Sequence, residues 1–208
     1  APFEIFQFSP GPKQCYRGNR SAVSRRDGPG GRRPDGSQRM GVSPSSISST
    51  RLENIRSMIR KAAIGDIKEI HRLLQFYGNR GELLPRPLSK LYDHVRDFFV
   101  YERESGEPMM GCCALQICWE DLAEIRSLAV APQHVGQGIG RALTETAIED
   151  ARCFGVSQVF TLTYRPDFFR RFGFQKIDRS DLPLKIWSDC MLCVKFPDCD
   201  ETAMLLNL

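Results

Sequence analysis

The feature that most constrains the fold is the segment 128–143, which reads LAVAPQHVGQGIGRAL. An apolar strand pattern ends at Pro132, a glycine-rich turn follows, and a helical pattern begins. Gly136, Gly138 and Gly140 remove side chains where backbone NH groups must converge. Because a helix N-terminus carries free NH groups and partial positive charge, the turn is suited to a diphosphate. Close packing of a helix on a strand would also explain these glycines.

Two common phosphate-binding patterns are excluded at this segment. The glycines are separated by two residues each, so the dinucleotide pattern G-x-G-x-x-G is not met. No Gly-Lys-Ser or Gly-Lys-Thr follows, so the P-loop pattern is also absent. The glycines alone therefore leave the ligand open.

The chain divides into two parts of different composition. Residues 1–57 hold ten Lys or Arg and four Asp or Glu, and they are rich in Gly, Pro and Ser. We predict that this basic leader is disordered, with a processed or targeting leader as alternatives. Residues 58–208 hold 19 basic and 21 acidic residues, which disfavours nucleic-acid binding. Without an export signal or an apolar run of roughly 18 residues, we expect a cytoplasmic protein that does not enter a membrane.

The second part, 58–208, shows the periodic patterns of one α/β domain. Strands and helices alternate in an order that predicts a mixed sheet with helices on its faces. The predicted strands are 57–62, 98–102, 109–119, 123–130, 156–162 and 203–208, and the predicted helices are 66–77, 89–96, 138–154 and 166–171.

With these elements in place, V-x-P followed by G-Q-G-I-G-R-A-L resembles the acetyl-coenzyme A loop of the GCN5-related N-acetyltransferase (GNAT) superfamily. The resemblance runs from about Met58 to the C-terminus. It implies a mixed, mostly antiparallel sheet with helices on both faces and a splayed V between two central strands. It also implies acetyl-CoA as co-substrate, and we expect no metal.

The same resemblance implies which residues hold acetyl-CoA. Backbone NH groups of residues 137–141 would bind the diphosphate, and the backbone of the preceding strand would pair with the pantetheine arm. Val135 stands where the family usually has Arg or Gln, which removes a side-chain contact and leaves the backbone groups intact. The implied acetyl-CoA residues are Leu128, Val130, Val135, Gly136, Gln137, Gly138, Ile139, Gly140 and Arg141.

A narrower resemblance concerns four segments, LLPRPLSKLY, AEIRSLAV, LTYRPDFFRRFGF and LPLKIWSDCMLCVKFPDCDETAM. They are similar to the short bacterial N-acetylglutamate synthases of arginine biosynthesis. This similarity implies that the acetyl group passes to the α-amine of glutamate.

Acetyl transfer to an amine requires a base for the amine and a proton for the departing thiolate. Glu124 occupies the place of the general base in related histone acetyltransferases, although it could instead be a carboxylate paired with an Arg. Phe169 stands where the family commonly has the proton-donating Tyr. Tyr164 is the substitute candidate, and a purely structural phenol is the alternative.

Glutamate carries two carboxylates, so its pocket needs cations. Arg86 matches a substrate-binding Arg of the synthase family, and Arg126 lies on the same side of its strand as Glu124. Arg165 and Lys195 fall in segments expected to border the pocket. Any one of the four could instead be a solvated surface charge, and we expect two of them to contact the substrate.

The cysteines of the C-terminal segment leave three readings open. Cys190, Cys193 and Cys199 have an incomplete zinc-binding spacing, since no second C-x-x-C and no His follows. We favour reduced, buried thiols over a metal site, and a redox switch is a third alternative.

Two alternatives to glutamate acetylation remain at the level of sequence. The same fold could act on another small amine or on a protein amine. A non-catalytic acyl-CoA-binding module is the second alternative, supported by Val135 and by the missing Tyr at Phe169. The only partners expected are small molecules and, as an open question, a second copy in a homodimer.

Overall fold

The computed structural model describes residues 58–103, 107–183, 191, 195 and 198–208. The predicted leader 1–57 lies outside the described residues. The described strands are β1 Ile59–Lys61, β2 Phe98–Tyr101, β3 Gly111–Ile117, β4 Leu122–Val130, β5 Gln158–Thr163, β6 Gln175–Lys176 and β7 Thr202–Asn207. The described helices are α1 Ile67–Gly78, α2 Leu88–Asp93, α3 Ile139–Phe154 and α4 Pro166–Arg170.

The described strands form one sheet in the order β1-β2-β3-β4-β5-β7-β6. Neighbouring strands are antiparallel except β4 and β5, which are parallel. This arrangement confirms the predicted mixed, mostly antiparallel sheet. Strand β6 was not predicted, because its two residues are exposed and give no apolar pattern.

Helices cover both faces of the sheet, as predicted. Strand β2 is buried on both faces, which explains its continuous apolar run FFVY. Phe99 faces the core formed with α3, whereas Phe98 faces the core formed with α1 and α2. Cys112 and Cys113 divide between these two cores in the same way. Burial raises the pKa of Cys113 to about 12, so this thiol stays neutral.

The second helix is shorter than its predicted range of 89–96. Helix α2 ends at Asp93, and a separate 3-10 turn covers Val95–Asp97. His94 interrupts the helix with φ −111° and ψ 19°, and its ring lies 3.1 Å from the Asp97 carboxylate. The spacing of apolar residues does not predict this interruption of the helix at His94.

The two parallel central strands diverge, as the predicted V requires. They pair at three positions, from Leu122–Gln158 to Glu124–Phe160. Beyond Glu124, β4 continues along β3 and β5 continues along β7. The register of β4 on β3 shifts opposite Cys113, where Ser127 has a positive φ of 53°. A bulge of this kind bends a strand, so it accounts for the opening.

The N-terminal end of α3 depends on close packing against Gly111. A Cβ at this position would lie 3.0 Å from the Ala129 carbonyl oxygen, 3.1 Å from Ile139 Cγ2 and 3.2 Å from Leu143 Cδ1. We therefore expect Gly111→Ala to lower the free energy of unfolding by about 1–3 kcal/mol, as overpacking does in other cores. Urea denaturation measures this change.

Gly65→Ala is the matched control for that experiment. A Cβ at Gly65 meets no atom within 4 Å, so its unfolding midpoint should stay level or rise slightly. Equal midpoints for the two variants would contradict the packing assigned to Gly111.

Candidate active site

The N-terminus of α3 presents free backbone NH groups to solvent. Gly136 and Gly138 have φ of 85° and 88°, a region that L side chains avoid. The NH of Ala142 bonds to the Gly138 carbonyl at 3.0 Å, so the preceding helical NH groups lack a carbonyl from their own helix. No side chain among the described residues caps this terminus, and no acid lies in its first turn. An anion can therefore bind here.

The predicted acetyl-CoA residues of the glycine turn differ in whether their NH groups and side chains already have partners. The NH of Val135 bonds to the Pro132 carbonyl at 3.4 Å, and the NH of Gln137 bonds to the His134 carbonyl at the same distance. The Val135 side chain is 64% exposed. The Arg141 guanidinium pairs with Glu145 at 2.8 Å. The NH groups of 138–141, which have no such bond among the described residues, are therefore the candidates for binding an anion.

The open edge of β4 continues from this turn. The NH of Ala131 bonds to the Met110 carbonyl of the β3 side at 2.7 Å. Because backbone groups alternate along a strand, those of Val130 and Leu128 face the other side, where β5 has diverged. The Tyr77 hydroxyl donates to the Val130 carbonyl at 2.5 Å. The edge of β4 that is predicted to pair with an extended ligand therefore lacks a neighbouring strand there. One of its groups, the Val130 carbonyl, already accepts a bond from Tyr77.

Glu124 lies at the point where β4 and β5 separate. Its Oε2 is 3.4 Å from Nη1 of Arg126, and the two side chains are 13% and 7% exposed. The structure thus brings together a predicted base and a predicted substrate cation as an ion pair. Arg126 also balances the negative charge that Glu124 brings into the interior.

Tyr164 follows the end of β5, on the opposite side of the V. Its hydroxyl is buried and has no hydrogen-bond partner within the described ranges. Burial raises the pKa of Tyr164, so the phenol is protonated at neutral pH and can donate. The ammonium of Lys195 lies 4.6 Å from the centre of its ring and pairs with Asp200 at 2.9 Å.

The remaining two predicted cations are Arg165, which follows β5, and Arg86, which lies in the loop 79–87. Arg165 is highly exposed, and its Nη2 lies 3.3 Å from Glu82 Oε2. Glu82 also pairs with Arg80 at 2.8 Å. The loop 79–87, which carries the half-buried Arg86, therefore lies against the end of β5.

Glu201 is a buried carboxyl that sequence reasoning missed. It precedes β7, and the pairing of Thr163 with Thr202 places it opposite Tyr164. Burial, followed by the nearby charge of Glu124, raises the pKa of Glu201. The Cys199 thiol donates to its Oε2 at 3.8 Å. Its neighbours come from strands distant in sequence, so its position alone gave no signal.

Two further findings concern metals and membranes. Cys190 and Cys193 lie outside the described residues, so the question of a zinc site with Cys199 stays a prediction. Elsewhere in the described ranges, no three His, Cys, Asp or Glu side chains cluster as metal ligands would. None of the described helices has the length and apolar character needed to cross a membrane.

Comparison with known proteins places this architecture in a family. Residues 94–176 match the model of the acetyltransferase (GNAT) domain. An uncharacterized N-acetyltransferase of Chlorobaculum tepidum is 40% identical over 150 residues, which cover 72% of this chain and 96% of that protein. An amino-acid acetyltransferase of Mycobacterium tuberculosis is 34% identical over 140 residues, covering 67% of this chain and 80% of the relative.

Solved structures agree with the sequence relatives. The N-acetylglutamate synthase of Neisseria gonorrhoeae, complexed with coenzyme A and N-acetyl-glutamate, is 31% identical with a TM-score of 0.65. The match covers 72% of this chain and 34% of that longer one. The chain belongs to the GNAT acetyltransferase family. It is an acetyl-CoA-dependent N-acetyltransferase, and the free NH groups at α3 suit the diphosphate of that co-substrate.

The raised pKa of Glu201 predicts a pH-dependent stability. The folded state holds the proton of Glu201 above the ordinary pKa of 4.5, so the free energy of unfolding falls as pH rises through that window. Glu201→Gln removes this ionisation and should raise the melting temperature at pH 7–8. The gain should shrink as pH falls towards 4.5.

Melting curves from pH 4 to pH 8 measure this effect. Asp198→Asn, an exposed change in the same segment, is the control and should shift melting equally little at every pH. A Glu201→Gln variant that is less stable at pH 8 than at pH 4.5, relative to wild type, would refute the assignment.

Proposed function

We propose that this acetyltransferase transfers the acetyl group of acetyl-CoA to the α-amine of L-glutamate, as N-acetylglutamate synthases do in the first step of arginine biosynthesis. The observation that carries the proposal is the placement of cationic side chains around the open V. Arg126 lies beside Glu124, Lys195 beside Tyr164, and Arg165 at the rim. A dicarboxylate acceptor needs cations of this kind, and it would compete for them with their present partners, Glu124, Asp200 and Glu82.

The relatives support the same acceptor. The Mycobacterium tuberculosis relative is named an amino-acid acetyltransferase, and the Neisseria gonorrhoeae structure contains N-acetyl-glutamate. A second structure of the Neisseria enzyme contains coenzyme A and L-arginine, at 30% identity. The match to the synthase covers about a third of its length, so its regulation does not transfer to this chain.

In the proposed reaction, Glu124 accepts a proton from the acceptor's ammonium group, directly or through water. The free amine attacks the thioester carbonyl carbon, and the NH of Leu128 at the bulge donates to the carbonyl oxygen. The carbon–sulfur bond then breaks. Tyr164 donates its proton to the departing sulfur and regains one from the nitrogen through solvent.

In this proposal, each of the four predicted cations has a different role in binding the acceptor. Arg86 is the first candidate for a carboxylate, because its loop borders the end of β5. Lys195 is the second, since it lies at Tyr164, where the acceptor must reach the acetyl group. Arg126 chiefly balances Glu124, and the exposed Arg165 assists at the entrance.

The direct test is thiol release from acetyl-CoA by the full chain with glutamate, aspartate, glutamine, lysine and a peptide amine. We expect glutamate to give at least a tenfold higher kcat/KM than any other acceptor. Faster turnover of another amine would overturn the acceptor assignment. If no acceptor supported thiol release while CoA still bound, the result would favour a non-catalytic acyl-CoA-binding module.

Glu124→Gln tests the assignment of the base. Turnover should fall by about 10²–10⁴-fold at pH 7, and the loss should ease at high pH as the acceptor amine deprotonates in solution. Glu120→Gln, an exposed carboxylate before the same strand, is the matched control and should keep its turnover. An unchanged rate for Glu124→Gln would exclude Glu124 as the base.

A further inference from the structure

Tyr77, in the last turn of α1, makes hydrogen bonds on two sides. Its hydroxyl donates to the Val130 carbonyl at 2.5 Å. Its own carbonyl accepts the NH of Arg80 at 3.2 Å and the NH of Glu82 at 3.0 Å. One residue therefore contacts both the open edge of β4 and the start of the loop 79–87.

The bond to Val130 falls where the sheet lacks a neighbouring strand. Strand β5 has left β4 by Glu124, so the Val130 carbonyl faces the V without a β5 partner. The phenol supplies the hydrogen-bond partner that β5 does not provide at this position. Burial also raises the pKa of Tyr77, which keeps the hydroxyl protonated as a donor.

The loop 79–87, which follows α1, crosses to the other side of the V. Glu82 lies 3.3 Å from Arg165, which follows the end of β5. The loop is thus held to β4 through Tyr77 and to the end of β5 through Glu82. Arg86 lies within the same loop, so these two attachments contribute to its position.

We propose that Tyr77 is a positioning residue that joins the two substrate sites. Its hydroxyl occupies one acceptor position of the Val130 carbonyl and so fixes where the acyl donor's amide groups can pair along β4. Its main-chain carbonyl fixes the start of the loop that borders the acceptor. The donor half of this inference rests on the acetyltransferase activity, and the acceptor half rests on the proposed function.

The substitution Tyr77→Phe removes the hydroxyl group of Tyr77 and keeps its ring. Tyr77→Phe keeps the edge-to-face contact with Phe76, whose ring centre is 5.1 Å away. We expect the KM for acetyl-CoA and the calorimetric Kd for CoA to rise about 3–10-fold, the equivalent of one neutral hydrogen bond. The kcat at saturating acetyl-CoA should change by less than about threefold.

Tyr92→Phe is the matched control. Tyr92 is an exposed tyrosine on α2, so its loss of a hydroxyl should leave both constants unchanged. Melting temperatures of both variants show that the fold is retained. A purely structural role for Tyr77 would lower its melting temperature while leaving KM and Kd unchanged, and that result would overturn the proposal.

The acceptor half has its own measurement. If the hydroxyl bond to Val130 holds Tyr77, and with it the start of the loop, Tyr77→Phe and Glu82→Gln should raise the acceptor KM non-additively in the double variant. Additive effects would restrict Tyr77 to the donor site. CoA binding is measured without an acceptor, so its outcome does not depend on whether glutamate is the substrate.

Discussion

The active site depends on the divergence of two parallel strands that begin as neighbours. Strands β4 and β5 pair at only three positions, and the bulge at Ser127, with its positive φ, turns β4 away. A continuous ladder would leave no backbone groups for a ligand and no space for an acceptor. The strain of a left-handed serine is therefore located where the chemistry needs an opening.

The rest of the fold holds this opening in place from both faces. Gly111 allows α3 to approach β3 and β4 closely, so the free NH groups of α3 lie beside the exposed edge of β4. On the other face, α1 reaches the same edge through the hydroxyl of Tyr77. The proposed co-substrate site thus combines a helix terminus and a strand edge that are fixed to each other by packing.

The two acidic residues buried in this region, Glu124 and Glu201, are accommodated in different ways. Glu124 is largely buried, and Arg126 at 3.4 Å balances its charge. Glu201 is at least as buried and has a raised pKa, because burial and the charge of Glu124 both disfavour its ionised form. The two carboxyls therefore have different electrostatic environments.

The sequence by itself determined the features that depend on neighbours along the chain. The turn at Gly136 and Gly138 and the periodic face of α3 are local, because backbone conformation and helical spacing are set within a few residues. Only the tertiary structure decided that Tyr77 meets Val130 and that Glu201 lies opposite Tyr164. These contacts join residues far apart in the chain, and their geometry follows from strand register and from the bulge, which no periodic pattern encodes.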